Sequence, residues 1–178
     1  MYIVRQREDG KVALFDSNYK MLSPEYLDKI YTHCGIFKNQ SIYYIAEKDG
    51  KQAIFDIHGN QISPWFQWIY CDGLVEGRSK FYIAKQKGKM AIFDVYGNMI
   101  SPRWFDWLDI EWANNPKEVY LACEERNCIE YEDGDYYEKY CDDYYAVFNI
   151  KGEMLSPWIK RDYEKNILEH EGKIYAIR

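Results

Sequence analysis

Residues 81–102, FYIAKQKGKMAIFDVYGNMISP, decide the fold, because the rest of the chain repeats them. Residues 81–84 are a short apolar and aromatic run, Gly88 marks a tight reversal, and residues 90–95 are a second run rich in β-formers. Gly97-Asn98 turns the chain again before Met99-Ile100, and Ser101-Pro102 ends this third run, since proline cannot donate to a ladder. The unit reads as a small β-meander. Glycine stands at both corners because turns that match strand twist need positive φ.

Two further stretches align on this one: YYIAEKDGKQAIFDIHGNQISP at 43–64 and YIVRQREDGKVALFDSNYKMLSP at 2–24. Ser-Pro pairs recur at Ser23, Ser63, Ser101 and Ser156, spaced 40, 38 and 55, and Phe15, Phe55, Phe93 and Phe148 keep step with them. In the first copy Asn18 is expected to supply the positive φ that glycine gives later. A period near 40 predicts an all-β chain of tandem four-stranded β-meander repeats, arranged as a propeller-like ring or a curved stack. The copies run over about 1–40, 41–78, 79–116 and 117–164, with a partial fifth at 165–178, all in a single domain.

Hydrophobic content of 47%, with 18% aromatic, is ample for a core and argues against disorder. The first residues carry no basic and apolar leader, and no run is long enough to span a membrane, so a cytoplasmic protein is expected. Five cysteines without framework spacing are expected to be reduced thiols. Cys123, Cys128 and Cys141 lie in one region but lack C-x-x-C, and a zinc site would need a distant ligand such as His170. Neither metal nor cofactor is expected.

Asp16, Asp56 and Asp94 recur just before the second corner, where a carboxylate accepts backbone N–H bonds; Asn149 does the same in copy four. That reading outweighs paired catalytic carboxylates. Trp65 and Trp104 hold nearby positions in their copies, as do Trp68 and Trp107, which fits packing wedges better than a binding row. Trp112, beyond the repeated part, is the exception and is expected at a binding surface. No Ser-His-Asp logic, phosphate loop or HExxH helix appears, so no enzyme is expected.

DGKVALFDSNYKMLSP, DGKQAIFDIHGNQISP and KGKMAIFDVYGNMISP resemble the bacterial WG-repeat family, whose units run roughly D-G-K-W-G-[FY]-I-D-x-x-G-x-x-[IV]-x-P. The family's Trp-Gly is replaced by Val12-Ala13, Gln52-Ala53, Met90-Ala91 and Tyr145-Ala146, so the chain looks like a divergent member. The resemblance implies an all-β repeat domain with a binding role, and no shared reaction.

Copy four breaks the pattern. Between its first two strands, where the others have a short turn, residues 124–143 are inserted. Nine acids (Glu124, Glu125, Glu130, Glu132, Asp133, Asp135, Glu138, Asp142 and Asp143) stand there against Arg126 and Lys139, a net −7 in a chain of −6. Tyr131, Tyr136, Tyr137, Tyr140, Tyr144 and Tyr145 are interleaved with them. Such a surface attracts a basic protein and repels nucleic acid. The sequence therefore points to a non-enzymatic protein-binding module, an inhibitor or immunity protein that neutralises a basic toxin such as a nuclease through Glu124, Glu125, Glu130, Glu132, Asp133, Asp135, Tyr136, Tyr137, Glu138, Tyr140, Asp142, Asp143 and Trp112. The alternative is a scaffold repeat protein that binds through its tryptophan-bearing face.

Overall fold

The computed structural model describes residues 2–31, 43–70, 81–109, 119–133, 136–161, 167–170 and 173–176. Every regular element among them is a β-strand. In chain order these are β1 (Ile3–Gln6), β2 (Val12–Phe15), β3 (Lys29–Ile30), β4 (Tyr43–Lys48), β5 (Lys51–Asp56), β6 (Trp68–Tyr70) and β7 (Phe81–Gln86). There follow β8 (Lys89–Asp94), β9 (Trp107–Asp109), β10 (Val119–Asp133), β11 (Tyr136–Asn149), β12 (Ile159–Lys160), β13 (Ile167–His170) and β14 (Lys173–Ala176). They pair antiparallel in five small sheets: β1-β2, β3-β4-β5, β6-β7-β8, β9-β10-β11-β12 and β13-β14. The chain forms two compact units, Met1–Ile100 and Ser101–Arg178. No helix among the described residues is long and apolar enough to cross a membrane.

The hairpins follow from their turn residues. β4–β5 and β7–β8 close through Asp49-Gly50 and Lys87-Gly88, with both residues of each pair at positive φ, 51° and 68° in one and 51° and 78° in the other. This backbone carries the strand twist smoothly through the reversal.

At the second corner the side chain just before the turn organises the backbone. The carboxylate of Asp56 accepts the N–H groups of His58 and Asn60, each at 2.8 Å, and Asp16, Asp94 and Asn149 do the same in their copies. The position of positive φ is Gly59, Gly97 and Gly152 in the later copies, but Tyr19 (φ 64°) in the first, not Asn18 as the sequence suggested. A Cβ on Gly59 would come within 2.1 Å of the Leu22 carbonyl oxygen of the preceding copy, and one on Gly97 within 2.7 Å of that of Ile62. Tyr19 is exposed, with the Arg5 guanidinium 4.4 Å from its ring centre.

The third run is shorter than a strand. It makes one bridge per copy (Phe15 to Met21, Phe55 to Gln61, Phe93 to Met99 and Phe148 to Met154), and the next residue then donates to the carbonyl of Leu14, Ile54, Ile92 or Val147. The serine that follows is buried, and its hydroxyl accepts the N–H of Leu14 (3.1 Å), Ile54 (2.8 Å) or Val147 (2.9 Å) for Ser23, Ser63 and Ser156. Backbone groups that the ladder leaves open are thereby satisfied in the interior.

The segment after Ser-Pro corrects the expectation of four strands within each copy. Leu27 and Phe66 bridge back to Val12 and Gln52 of their own copies. The chain then leaves for the next hairpin: Ile30 lies opposite Ala46, Ile69 opposite Ala84, and Leu108 opposite Ala122. β5 and β8 begin at Lys51 and Lys89, immediately after their turns, and offer no further ladder. In copy four β11 continues far beyond Tyr145, and β12 stays on it, with Ile159 opposite Tyr145 and Lys160 opposite Tyr144.

The core is built at these joins. In the first unit Leu14, Leu27, Ile30, Tyr44, Ala46, Ala53 and Phe55 are buried together with Trp65 packed against them; in the second, Val119, Leu121, Cys123, Tyr145 and Val147 are, with Ile159 against them. Tyr44 stacks on Phe55, Tyr82 on Phe93 and Tyr120 on Phe148, with ring centres 5.4 to 5.5 Å apart. Trp65 and Trp158 meet Phe55 and Phe148 edge-on, so these two indoles are packing wedges.

Candidate functional site

The insertion builds no new element; it lengthens the hairpin it interrupts. β10 and β11 run for 15 and 14 residues, against 6 in each strand of β4–β5. At the base β9 covers β10 only at residues 121–123, and β12 covers β11 only at 144–145. Beyond that, among the described residues, the two strands pair only with each other, out to Asp133 opposite Tyr136. The acidic segment is thus a two-stranded β-arm.

Midway along the arm the register shifts between Arg126 and Ile129, where Asn127 takes φ 52°. Asn127 and Cys128 both fall opposite Cys141, a bulge of two residues against one. Cys128 and Cys141 are disulfide-bonded, with their Cα atoms 4.1 Å apart. This overturns the expectation of reduced thiols for that pair. A separation of 13 residues has no signature in sequence, and only the bulged register makes the two cysteines neighbours. Cys123 is a free thiol on the core side of β10, and burial pushes it up to about 12. Cys34, Cys71 and Trp112 lie outside the described residues.

Strand alternation sorts the arm into two faces. Ile129, Tyr131, Glu138 and Tyr140 share one, and Glu130, Glu132, Tyr137 and Lys139 the other. Ile129, Tyr131, Tyr137 and Tyr140 are between 58% and 68% exposed, although their neighbours at the base are buried. The hydrogen bond from its hydroxyl to Glu138 raises the Tyr140 phenol above its ordinary value, and partial desolvation with the nearby Glu130 raises that of Tyr137. Tyr145 does not stand among the charges as the sequence suggested. It is buried in the core, while Tyr144 lies under the Arg126 guanidinium at 4.5 Å.

The nine acids are not equivalent. Those near the base are matched by cations: Glu124 by Arg103 and Arg126, Glu125 by Lys139 (2.6 Å), Asp142 by Lys160 (2.7 Å) and Asp143 by Arg161 (4.0 Å). Hydrogen bonds from Lys160 and Asn127 hold the Asp142 carboxyl below its usual range. Arg103, Lys160 and Arg161 lie outside the inserted segment, so a count confined to it misses them. Farther out, Glu130 and Glu132 have no ion pair among the described residues. Asp133 and Tyr136 close the ladder at the tip, next to Asp135, which lies outside the described residues.

Of the expected docking residues, the arm therefore leaves Glu130, Glu132 and Tyr137 exposed on one face and Tyr140 exposed on the other, with Glu138 half-buried and bonded to the Tyr140 hydroxyl, and it ties Glu124, Glu125, Asp142 and Asp143 into its stem. Ile129 and Tyr131 join the open set, and the signal for Ile129 is its place in the alternation of β10. Three ligating side chains also meet on the arm, Glu125, Cys128 and Cys141. No protein-family model, curated protein or solved structure matches the chain.

Proposed function

We propose that the chain is a non-enzymatic protein-binding module, an inhibitor or immunity protein that neutralises a basic toxin, in particular a nuclease, through the β10–β11 arm. The observation that carries this reading is the division of charge along the arm. The stem acids are paired with lysine and arginine, and Lys139, opposite Glu130, is among them as the partner of Glu125; Glu130 and Glu132 make no ion pair among the described residues and share their face with exposed Tyr137, while Ile129, Tyr131 and Tyr140 are exposed on the other. Aromatic side chains lose little entropy on docking and supply contact area, and an unneutralised anionic rim speeds capture of a cationic partner. Carboxylates interleaved with phenols also offer a phosphate-binding enzyme a surface resembling its own substrate. The same hydrogen bonds at Ser23, Ser63 and Ser156, and the same corners at Asp16, Asp56, Asp94 and Asn149, support a repeat framework akin to the WG-repeat family.

The test begins with capture of the partner from the native host and titration of the purified pair. Replacing Glu130, Glu132 and Glu138 together by lysine is expected to weaken binding about 100-fold or more, since each reversal turns attraction into like-charge repulsion. Thermal stability should stay near that of the parent. Unchanged affinity would remove the arm from the interface. The scaffold reading keeps one supporting observation, the 53% exposure of Trp68, and predicts instead that Trp68→Ala abolishes binding while the lysine variant retains it.

A further inference from the structure

We propose that Glu125, Cys128 and Cys141 form a redox-gated site for a thiophilic divalent cation of the zinc class, and that the disulfide is its closed form. The carboxylate oxygen and the two sulfurs lie within 4.8 Å of one another, with Glu125 Oε2 3.4 Å from Cys141 Sγ. Tetrahedral zinc, with bonds of about 2.3 Å to sulfur and about 2.1 Å to oxygen, holds such atoms roughly 3.6 to 3.8 Å apart. The carboxylate already stands close to that distance, and the sulfurs reach it by side-chain rotation once their bond is broken.

The bulge is what makes the cluster. With Arg126 opposite Asp142, an unbroken ladder would set Cys128 on the face of Arg126, away from Glu125 and Cys141. The extra residue and the left-handed Asn127 carry it across the ribbon to join them. Cys128 is exposed and Cys141 half-buried, so reductant and cation can both arrive from solvent. Lys139, which pairs with Glu125 across an exposed gap, is the group the cation displaces, and water takes the fourth position.

The chemistry balances as follows. A dithiol reductant attacks one sulfur, passes through a mixed disulfide and leaves as its own cyclic disulfide, having given two electrons and two protons to yield the Cys128 and Cys141 thiols. The cation then replaces the two thiol protons, forming two metal–sulfur bonds and one metal–oxygen bond to Glu125. A disulfide oxidant reverses the sequence and expels the cation.

The proposal is independent of any partner, and its test uses the whole chain with cadmium ion as probe. Protein reduced with a phosphine that is then removed by gel filtration should show an ultraviolet sulfur-to-cadmium charge-transfer band saturating at about one ion per chain. The oxidised protein and Cys128→Ser should show none, and Cys123→Ala should match the parent. Glu125→Gln should weaken binding by roughly tenfold or more, at least the loss expected for an outer-shell partner. A band that survives in Cys128→Ser, an unaltered affinity in Glu125→Gln, or reduced protein that takes up no cadmium would overturn it. Amide exchange on the arm of each variant shows whether the strands still pair; if the Ser variant unpairs, Cys141→Ala and Glu125→Gln decide the matter in its place.

Discussion

At the residue scale, the acid before the second corner is a hydrogen-bond acceptor, and its charge is incidental to the job. Burial would raise the Asp56 carboxyl, but bonds from the side chain and N–H of Asn60 and from the N–H of His58 outweigh this and hold it below its ordinary value. A depressed folded-state value means that the stabilisation is fully present at neutral pH and is lost as pH falls below about 4, through the folded value. Asp56→Asn keeps the acceptor, as Asn149 does in copy four, and should cost less than about 1 kcal/mol at pH 7, whereas Asp56→Ala should cost about 1–2 kcal/mol. Calorimetry at pH 7 and pH 3 checks the sign. The gap in melting temperature between parent and Asp56→Asn should narrow in acid, and a gap that widens would contradict the account.

At the element scale, corners and joins have different physics, and this decides what the sequence disclosed. Corners are local: Asp-Gly and Lys-Gly between β-formers announce hairpins, and Asp or Asn before glycine announces the second turn, so both were readable from residue types alone. The join from β3 to β4, from β6 to β7 and from β9 to β10 was not, because whether two residues after Leu27, Phe66 or Phe105 pair backward or forward depends on how much ladder is free. The same reason hid the disulfide, since the acid and tyrosine content of the arm is visible in composition while a one-residue bulge is not. Copy-to-copy contact explains the glycines at 59 and 97, whereas the side chain of Tyr19 at the same position in the first copy is exposed. Gly10→Ala meets open space and should cost only the positive-φ strain, about 1–2 kcal/mol. Gly97→Ala adds a collision with the Ile62 carbonyl, and Gly59→Ala a closer one with that of Leu22, each worth about 1–3 kcal/mol more. Urea denaturation should rank the three Gly59, Gly97, Gly10 from most to least harmful; equal losses would mean that the copies do not pack through this corner.

At the scale of the whole molecule, the arm and the framework are separable in charge and in packing. Glu124 and Tyr144 stand opposite each other at the ladder position that Lys48 and Lys51 occupy in the second copy, where Asp49-Gly50 completes the hairpin. Joining Glu124 to Tyr144 through Asp-Gly in place of residues 125–143 would restore the length of the other copies. Leu121, Cys123, Tyr145, Val147 and Ile159 keep their places in the core, and the pairings of β9 at 121–123 and β12 at 144–145 are retained. The deletion takes eight acids and two bases and adds one aspartate, which brings the net charge from −6 to −1. The shortened chain should unfold cooperatively within a few degrees of the parent, because what it loses is exposed or half-buried side chains, the stacking of Arg126 on Tyr144 and Trp158, and surface ion pairs worth about 0–1 kcal/mol each. On the proposed function it should also fail to bind a basic partner, and with that loss should go the steep fall of association rate with salt that an anionic docking arm imposes. Binding that persists in the shortened chain would move the interface to the framework, and loss of the unfolding transition would show that the arm belongs to the core of its unit.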